Sequence, residues 1–78
     1  MVKVRVELQA YLQQYTPDAA PALDFDVPEG ASARDLVRGL AIPEEVVAVV
    51  ITSNRVVPSF QQLSEGDEVT LVPPLAGG

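Results

Sequence analysis

The side chains that most often perform chemistry are missing from this chain. It contains no Cys and no His, which excludes disulfides, thiolate metal sites, the common zinc ligand and the usual general base. Ser32, Ser53, Ser59 and Ser64 offer hydroxyls, but no imidazole exists to activate them. Three acidic groups remain: Asp24/Asp26, Glu44/Glu45 and Glu65/Asp67/Glu68. None has the spacing of a calcium loop, and none has a basic or imidazole neighbour in sequence to tune a pKa. They read as solvated surface and turn carboxylates, with docking contacts as the lesser alternative. The glycines at Gly30, Gly39, Gly66, Gly77 and Gly78 form no phosphate-cradling loop. An enzyme acting alone does not fit this inventory. The sequence closes on "LVPPLAGG", and a chance glycine pair at that place has odds of roughly 1 in 200 at ordinary glycine frequency. Either it is an ordinary frayed end, or its bare backbone and carboxylate are the point; composition does not choose.

The elements that would carry these residues belong to one small domain. At 78 residues a fold buries only about 60% of the surface its unfolded chain exposes, leaving little room for an enclosed active site beside a core. With 47% hydrophobic residues and seven spaced prolines the chain reads as globular. Its net charge of −6, with Lys3, Arg5, Arg34, Arg38 and Arg55 as the only basic residues, repels phosphate backbones and anionic lipid. No nucleic acid and no membrane surface are expected as partners. The chain opens directly on a charged, alternating strand with no apolar leader or spanning run, so a cytoplasmic location is expected.

"VKVRVEL" places Val2, Val4, Val6 and Leu8 on one face and Lys3, Arg5 and Glu7 on the other, a half-buried strand. "ALDFDV" repeats the device, with Leu23, Phe25 and Val27 inward. If the two pair, Lys3 and Arg5 share the open face with Asp24 and Asp26 and help to set the register. Between them "QAYLQQYTPDAAP" is a long connection with one helical turn around Leu12, ending at Pro17. Ser32 followed by Asp35 is a weaker form of the Ser-x-x-Glu capping pattern. Ala33, Leu36, Val37 and Leu40 then fall on one helical face, leaving Arg34, Asp35 and Arg38 to water, and Pro43 stops the helix. "VVAVVIT" is apolar on both parities from Val46 to Ile51. That pattern suits a central strand under the helix, or a strand whose second face is covered by a partner protein. Ser53-Asn54 reads as a tight turn into the short strand "RVV", Gly66 as the centre of another turn, and "VTLV" as the last strand. The order β-β-α-β-β-β predicts an α+β fold: one sheet with a helix across one face.

Along the apolar stripe Val57, Phe60, Leu71, Val72 and Leu75, the inward members are expected in the core. Pro73, Pro74 and Leu75 are harder to bury, because a Pro-Pro pair cannot continue a ladder and projects stiffly outward. The expected organisation is a folded body over 1–73 and a flexible tail over 74–78.

"LSEGDEVTLVPPLAGG", Leu63 to Gly78, resembles the C-terminal signature of the small sulfur-carrier proteins, the MoaD/ThiS family. Its marks are an L-x-x-G-D-x-V strand and a terminal P-P-x-x-G-G. The resemblance implies a ubiquitin-like β-grasp fold: a mixed sheet of four to five strands with one main helix across it. The element order matches over essentially the whole chain, while specific motif content is confined to the last sixteen residues. Pro73-Pro74 leans toward the molybdopterin branch. The family's frequent Asn-Gly turn is Ser53-Asn54 here, and its phenylalanine-alanine run after the first strand appears as "LQAYLQQY"; these departures bear on which pathway is served.

What the resemblance implies about function is specific. Gly78 is the expected attachment point: its α-carboxylate, with an ordinary pKa of about 3.3–3.7, is anionic at neutral pH and a poor electrophile. An E1-like adenylating enzyme of the MoeB/ThiF type would use ATP to make it an acyl-adenylate, and a persulfide would convert that to a thiocarboxylate. A sulfur-acceptor enzyme, such as the molybdopterin synthase large subunit, would then receive the sulfur. Gly77 and Ala76 are expected to thread a narrow tunnel, and Leu75, Pro74, Phe60 and Val57 to contact partners. The chain itself is expected to hold no metal and no cofactor and to have no catalytic residue. Two other readings stay open: a modifier conjugated to lysines, or a carrier serving thiazole or another sulfur metabolite.

Overall fold

The computed structural model of the chain describes residues 1–74. The strict alternation in "VKVRVEL" becomes strand β1, Val2–Leu8, in which every second residue is buried. Strand β2, Ala22–Val27, runs antiparallel beside it with Lys3 opposite Asp26 and Arg5 opposite Asp24. The expected charge complementarity is present: Arg5 Nη1 lies 3.3 Å from Asp24 Oδ1, with both side chains more than half exposed. An exposed pair of this kind sets register more than it adds stability.

The connection between these strands holds more helix than one turn. A 3-10 helix spans Ala10–Tyr15 and buries Leu12 completely, and Pro17–Ala19 follows as a turn with Asp18 and Ala19 at positive φ (58° and 52°). Thr16 is buried between them, and its hydroxyl lies 2.8 Å from the carbonyls of both Gln13 and Ala20. That bonding offsets the cost of removing a hydroxyl from water.

Helix α1, Ala33–Gly39, begins at a complete capping box. The Asp35 N–H donates to the Ser32 hydroxyl at 3.3 Å, and the Ser32 N–H donates to the Asp35 carboxylate at 2.9 Å. Aspartate thus performs the role usually given to glutamate. The helix buries Ala33, Leu36 and Val37, the face predicted from their spacing.

The double-sided apolar run is shorter as a strand than expected. Glu44–Val46 forms a 3-10 turn capped by Pro43, and β3 begins only at Val49, ending at Thr52. Val46 and Val47 pack against the core from this turn and the residues after it, so their apolarity serves packing without a ladder. The hairpin to β4, Arg55–Val57, turns on Ser53 and Asn54, both at positive φ (51° and 62°). Two left-handed residues in succession make the type I′ turn that matches strand twist. Gly66, at φ 84°, supplies the left-handed position before β5, Glu68–Val72.

The sheet order is β2-β1-β5-β3-β4. β1 and β5 are parallel and the other pairings antiparallel. β3 therefore lies one place from the edge, not at the centre. The core occupies one face of the sheet, beneath α1, with Val4, Val6, Leu12, Leu36, Val69 and Leu71 its most enclosed members. Across the opposite face no described element is laid. Among the described residues no helix is long and apolar enough to cross a membrane.

Candidate functional site

The predicted working end leaves the body from β5, and the last residues of that strand are held from both sides. The Gln9 N–H donates to the Leu71 carbonyl at 3.1 Å, and the Ala48 N–H donates to the Val72 carbonyl at 2.9 Å. The central position of β5 makes this possible, since parallel β1 and antiparallel β3 both end or begin beside its exit. Pro73 differs from expectation: it is buried, and only Pro74 is exposed. A proline has no N–H, so its ring can enter the body without stranding a donor. One ring of the pair therefore belongs to the folded body and the other stands at its surface. Leu75, Ala76, Gly77 and Gly78 lie outside the described residues.

Val57 and Phe60 lie in a different part of the surface. Val57 pairs with Val50, which turns it toward the helix side of the sheet, where it is half-buried. With Val37, Val47, Ala48, Val50 and Pro58 it lines a cavity of about 390 Å³. Ala48 connects this cavity to the tail root through its bond to Val72. Phe60 is 79% exposed, in a loop fastened to the start of α1 by the bonds Ala33 N–H to Gln61 O and Arg34 N–H to Ser59 O. The residue beside Val57 is the one that sequence reading passed over. Val56 is 71% exposed, on the opposite face. The signal was its parity in "RVV", legible only once the pairing partner of Val57 is known.

Glu44 is not an isolated surface carboxylate. Arg34 and Arg38, one helical turn apart on α1, both reach it, with Nε–Oε distances of 2.7 and 3.2 Å. The hydrogen bond from Arg34, then that from Arg38, holds the Glu44 carboxyl below its ordinary range. Asp35 is likewise lowered, first by the Ser32 backbone N–H and then by the Ser32 hydroxyl. No basic residue flanks Glu44 in sequence; only the fold of α1 against the Glu44–Val46 turn creates the cluster. It joins two elements, and Arg34 and Glu44 line the same cavity as Val57. Among the described residues no three His, Cys, Asp or Glu side chains are grouped to hold a metal ion.

A five-stranded mixed sheet with one helix across it and a C-terminal strand at its centre is the ubiquitin-like β-grasp arrangement. The ThiS family model matches residues 6–78, and the chain belongs to the ThiS family. It is a small ubiquitin-like protein of the sulfur-carrier type. The Pyrococcus furiosus protein described as molybdopterin converting factor subunit 1 superposes with a TM-score of 0.79 at 27% identity, covering 96% of this chain and 100% of its own. Small archaeal modifier protein 1 of Haloferax volcanii has a TM-score of 0.77 at 16% identity, covering 96% of this chain and 100% of its own. A ubiquitin from Caldiarchaeum subterraneum has a TM-score of 0.62 at 13% identity, covering 99% and 98%. These last two show the shared fold. No curated protein matches the chain in sequence.

Proposed function

We propose that this protein carries sulfur as a C-terminal thiocarboxylate on Gly78, for assembly of the dithiolene of molybdopterin or its tungsten counterpart. The observation that supports this most is that the family match extends through Gly77-Gly78, so the glycine pair belongs to the matched region. The likeness to the Pyrococcus furiosus molybdopterin converting factor subunit, together with Pro73-Pro74, favours the molybdopterin branch over thiazole.

The chemistry follows from what a chain ending in a free carboxylate can offer. A Gly78 carboxylate oxygen attacks the α-phosphorus of ATP on an E1-like enzyme and expels pyrophosphate. The terminal sulfur of a protein persulfide then attacks the carbonyl carbon, and AMP leaves with the bonding pair. The product is an acyl disulfide. A second thiol attacks its protein-side sulfur, forming a disulfide and releasing the Gly78 thiocarboxylate. The acceptor enzyme takes that sulfur into its substrate and returns the carboxylate. Gly77 and Gly78 present no side chain to crowd the reacting carbon. Six residues from Pro73 extend at most ~20 Å, with the first ring seated in the body.

The test is incubation with the adenylating enzyme of the same organism, ATP and a persulfide donor, followed by fragmentation mass spectrometry. The expected result is replacement of one oxygen by sulfur at Gly78, dependent on ATP and absent when Gly78 is deleted. Localisation by fragmentation is necessary because oxidation of Met1 adds nearly the same nominal mass. Equal activation of the Gly78-deleted chain overturns the reading. Isopeptide adducts on lysines without sulfur transfer would place the protein among modifiers instead.

A further inference from the structure

The helix side of the molecule carries a projection and a hollow side by side. The projection is Phe60, whose ring is exposed but whose backbone is fixed. The Gln61 N–H donates to the Pro58 carbonyl at 3.0 Å and closes a turn around it. The carbonyls on either side, of Ser59 and Gln61, accept from the Arg34 and Ala33 N–H groups at 2.8 and 2.9 Å. An aromatic ring on a clamped turn loses little freedom when it is buried. The hollow is the cavity of about 390 Å³, and Pro58 and Ser59, the two residues before Phe60, belong to its wall. Val37, Val47, Val50 and Val57, all buried or half-buried, form its apolar floor. An apolar space of about 150 Å³ already takes a benzene ring. Exposed Arg34 and Glu44 stand at its rim, 2.7 Å apart. A ring entering there meets a guanidinium, which favours an aromatic face, beside a carboxylate that is already matched.

We propose that two copies of this chain associate about a twofold axis, with Phe60 of each copy inserted into the cavity of the other. The inference goes beyond the carrier reading and does not depend on it. Three observations carry it. A twofold contact needs one patch that is complementary to itself, and a ring next to a hollow able to hold it is such a patch. One axis between two molecules seats both rings, so each copy gives a projection and receives one. The charges also favour this side. Two chains of net charge −6 repel each other, yet Arg34, Arg38 and Arg55, three of the five basic residues, lie here. Arg55 is two residues from Val57 along β4 and so shares its face; no described carboxylate pairs with it within salt-bridge distance. The third observation is that the ring has nothing to pack against in its own molecule: Phe60 remains 79% exposed beside a cavity it does not line. Insertion into a second copy covers both at once. The sheet face opposite α1 stays outside the contact.

The test is sedimentation equilibrium of the full chain from about 1 μM to about 1 mM. The mass should double across that range, with a dissociation constant below about 1 mM. Phe60→Ser removes the projection, and Ala48→Phe fills the hollow from an exposed residue of its wall. Each variant loses both insertions and should raise the constant about thirtyfold or more; circular dichroism at the lowest concentration verifies that both are folded. An equal mixture of the two should hold more dimer than either alone at the same total concentration. In that pair the ring of the Ala48→Phe copy still fits the open hollow of the Phe60→Ser copy. Val56→Asp, on the opposite face, should leave the constant within about twofold. A wild type that is monomeric at about 1 mM overturns the proposal. A dimer untouched by Phe60→Ser or by Ala48→Phe, one dissociated by Val56→Asp, or a mixture no more associated than its components also overturns it. Sulfur loading at Gly78 is read by mass and association by sedimentation, so either reading can fail while the other stands.

Discussion

Truncating Leu36 probes the packing that holds the tail root in place. Leu36 has no exposed surface and belongs to the cluster formed with Val4, Val6, Val69 and Leu71. Replacing it with alanine removes apolar contact and leaves a cavity, at a cost of ~2–5 kcal/mol. A domain of 78 residues has a total stability of about 4–12 kcal/mol at ~0.05–0.15 kcal/mol per residue. At this size each kcal/mol lowers Tm by ~4–8 °C, so Leu36→Ala should melt ~8–40 °C below the wild type. Leu36→Asp adds an unpaired carboxylate where α1 meets the sheet, and the combined penalty matches or exceeds the total. That variant should be unfolded. α1 has only seven residues, too few to persist alone in water, so it has no independent stability with which to compensate. Circular dichroism melts and urea titrations measure the loss, and an unchanged m-value assigns it to stability alone. A Leu36→Ala cost below about 1 kcal/mol, or a wild-type-like melt for Leu36→Asp, would refute the packing described for α1.

Ser32→Ala removes the hydroxyl half of the capping box and should cost ~0.5–2 kcal/mol in urea titration; no change would mean that the Asp35 carboxylate suffices by itself. Glu44 lies below its ordinary value of 4.5, so its pairing with Arg34 and Arg38 contributes fully above that pH. As pH falls below 4.5 the unfolded chain binds the proton first, and the contribution is lost until the folded group is protonated as well. The stability difference between wild type and Glu44→Gln should accordingly shrink on acidification and in high salt, and a difference independent of both would contradict the pairing. Leu75→Asp should leave the melt nearly unchanged but weaken binding to the activating enzyme by ~2 kcal/mol or more in calorimetry; a collapsed melt with unaltered binding would make Leu75 a core residue. Gly77→Val should fold normally yet slow adenylation, because a β-branched side chain stiffens the backbone and crowds the reacting end; an undiminished rate would dismiss the tunnel.

Local rules account for what could be read without coordinates. Period-two alternation located β1 and β2 and chose their buried faces, since a strand's side chains have only two directions. The Ser32–Asp35 spacing located the start of α1, because the unpaired N–H groups of a first turn need an acceptor nearby in sequence. The glycine pair and the strand before it carried the family resemblance, because the chemistry inferred there needs a bare backbone and a carboxylate and no distant partner. Tertiary structure alone decided the rest. The shortening of β3 depended on whether Val46 and Val47 pack from a turn or a ladder, and both bury the same residues. The Arg34–Glu44–Arg38 cluster joins residues ten apart through the placement of a helix. Pro73 and Pro74 are identical in sequence terms, yet one is buried and one exposed, because β5 ends between Gln9 and Ala48. Val56 and Val57 are likewise adjacent valines, and only the register of β4 against β3 sends one to the open face and the other to the cavity under α1. Pairing across the sheet is a long-range choice, and a shift of one residue would have exchanged their roles.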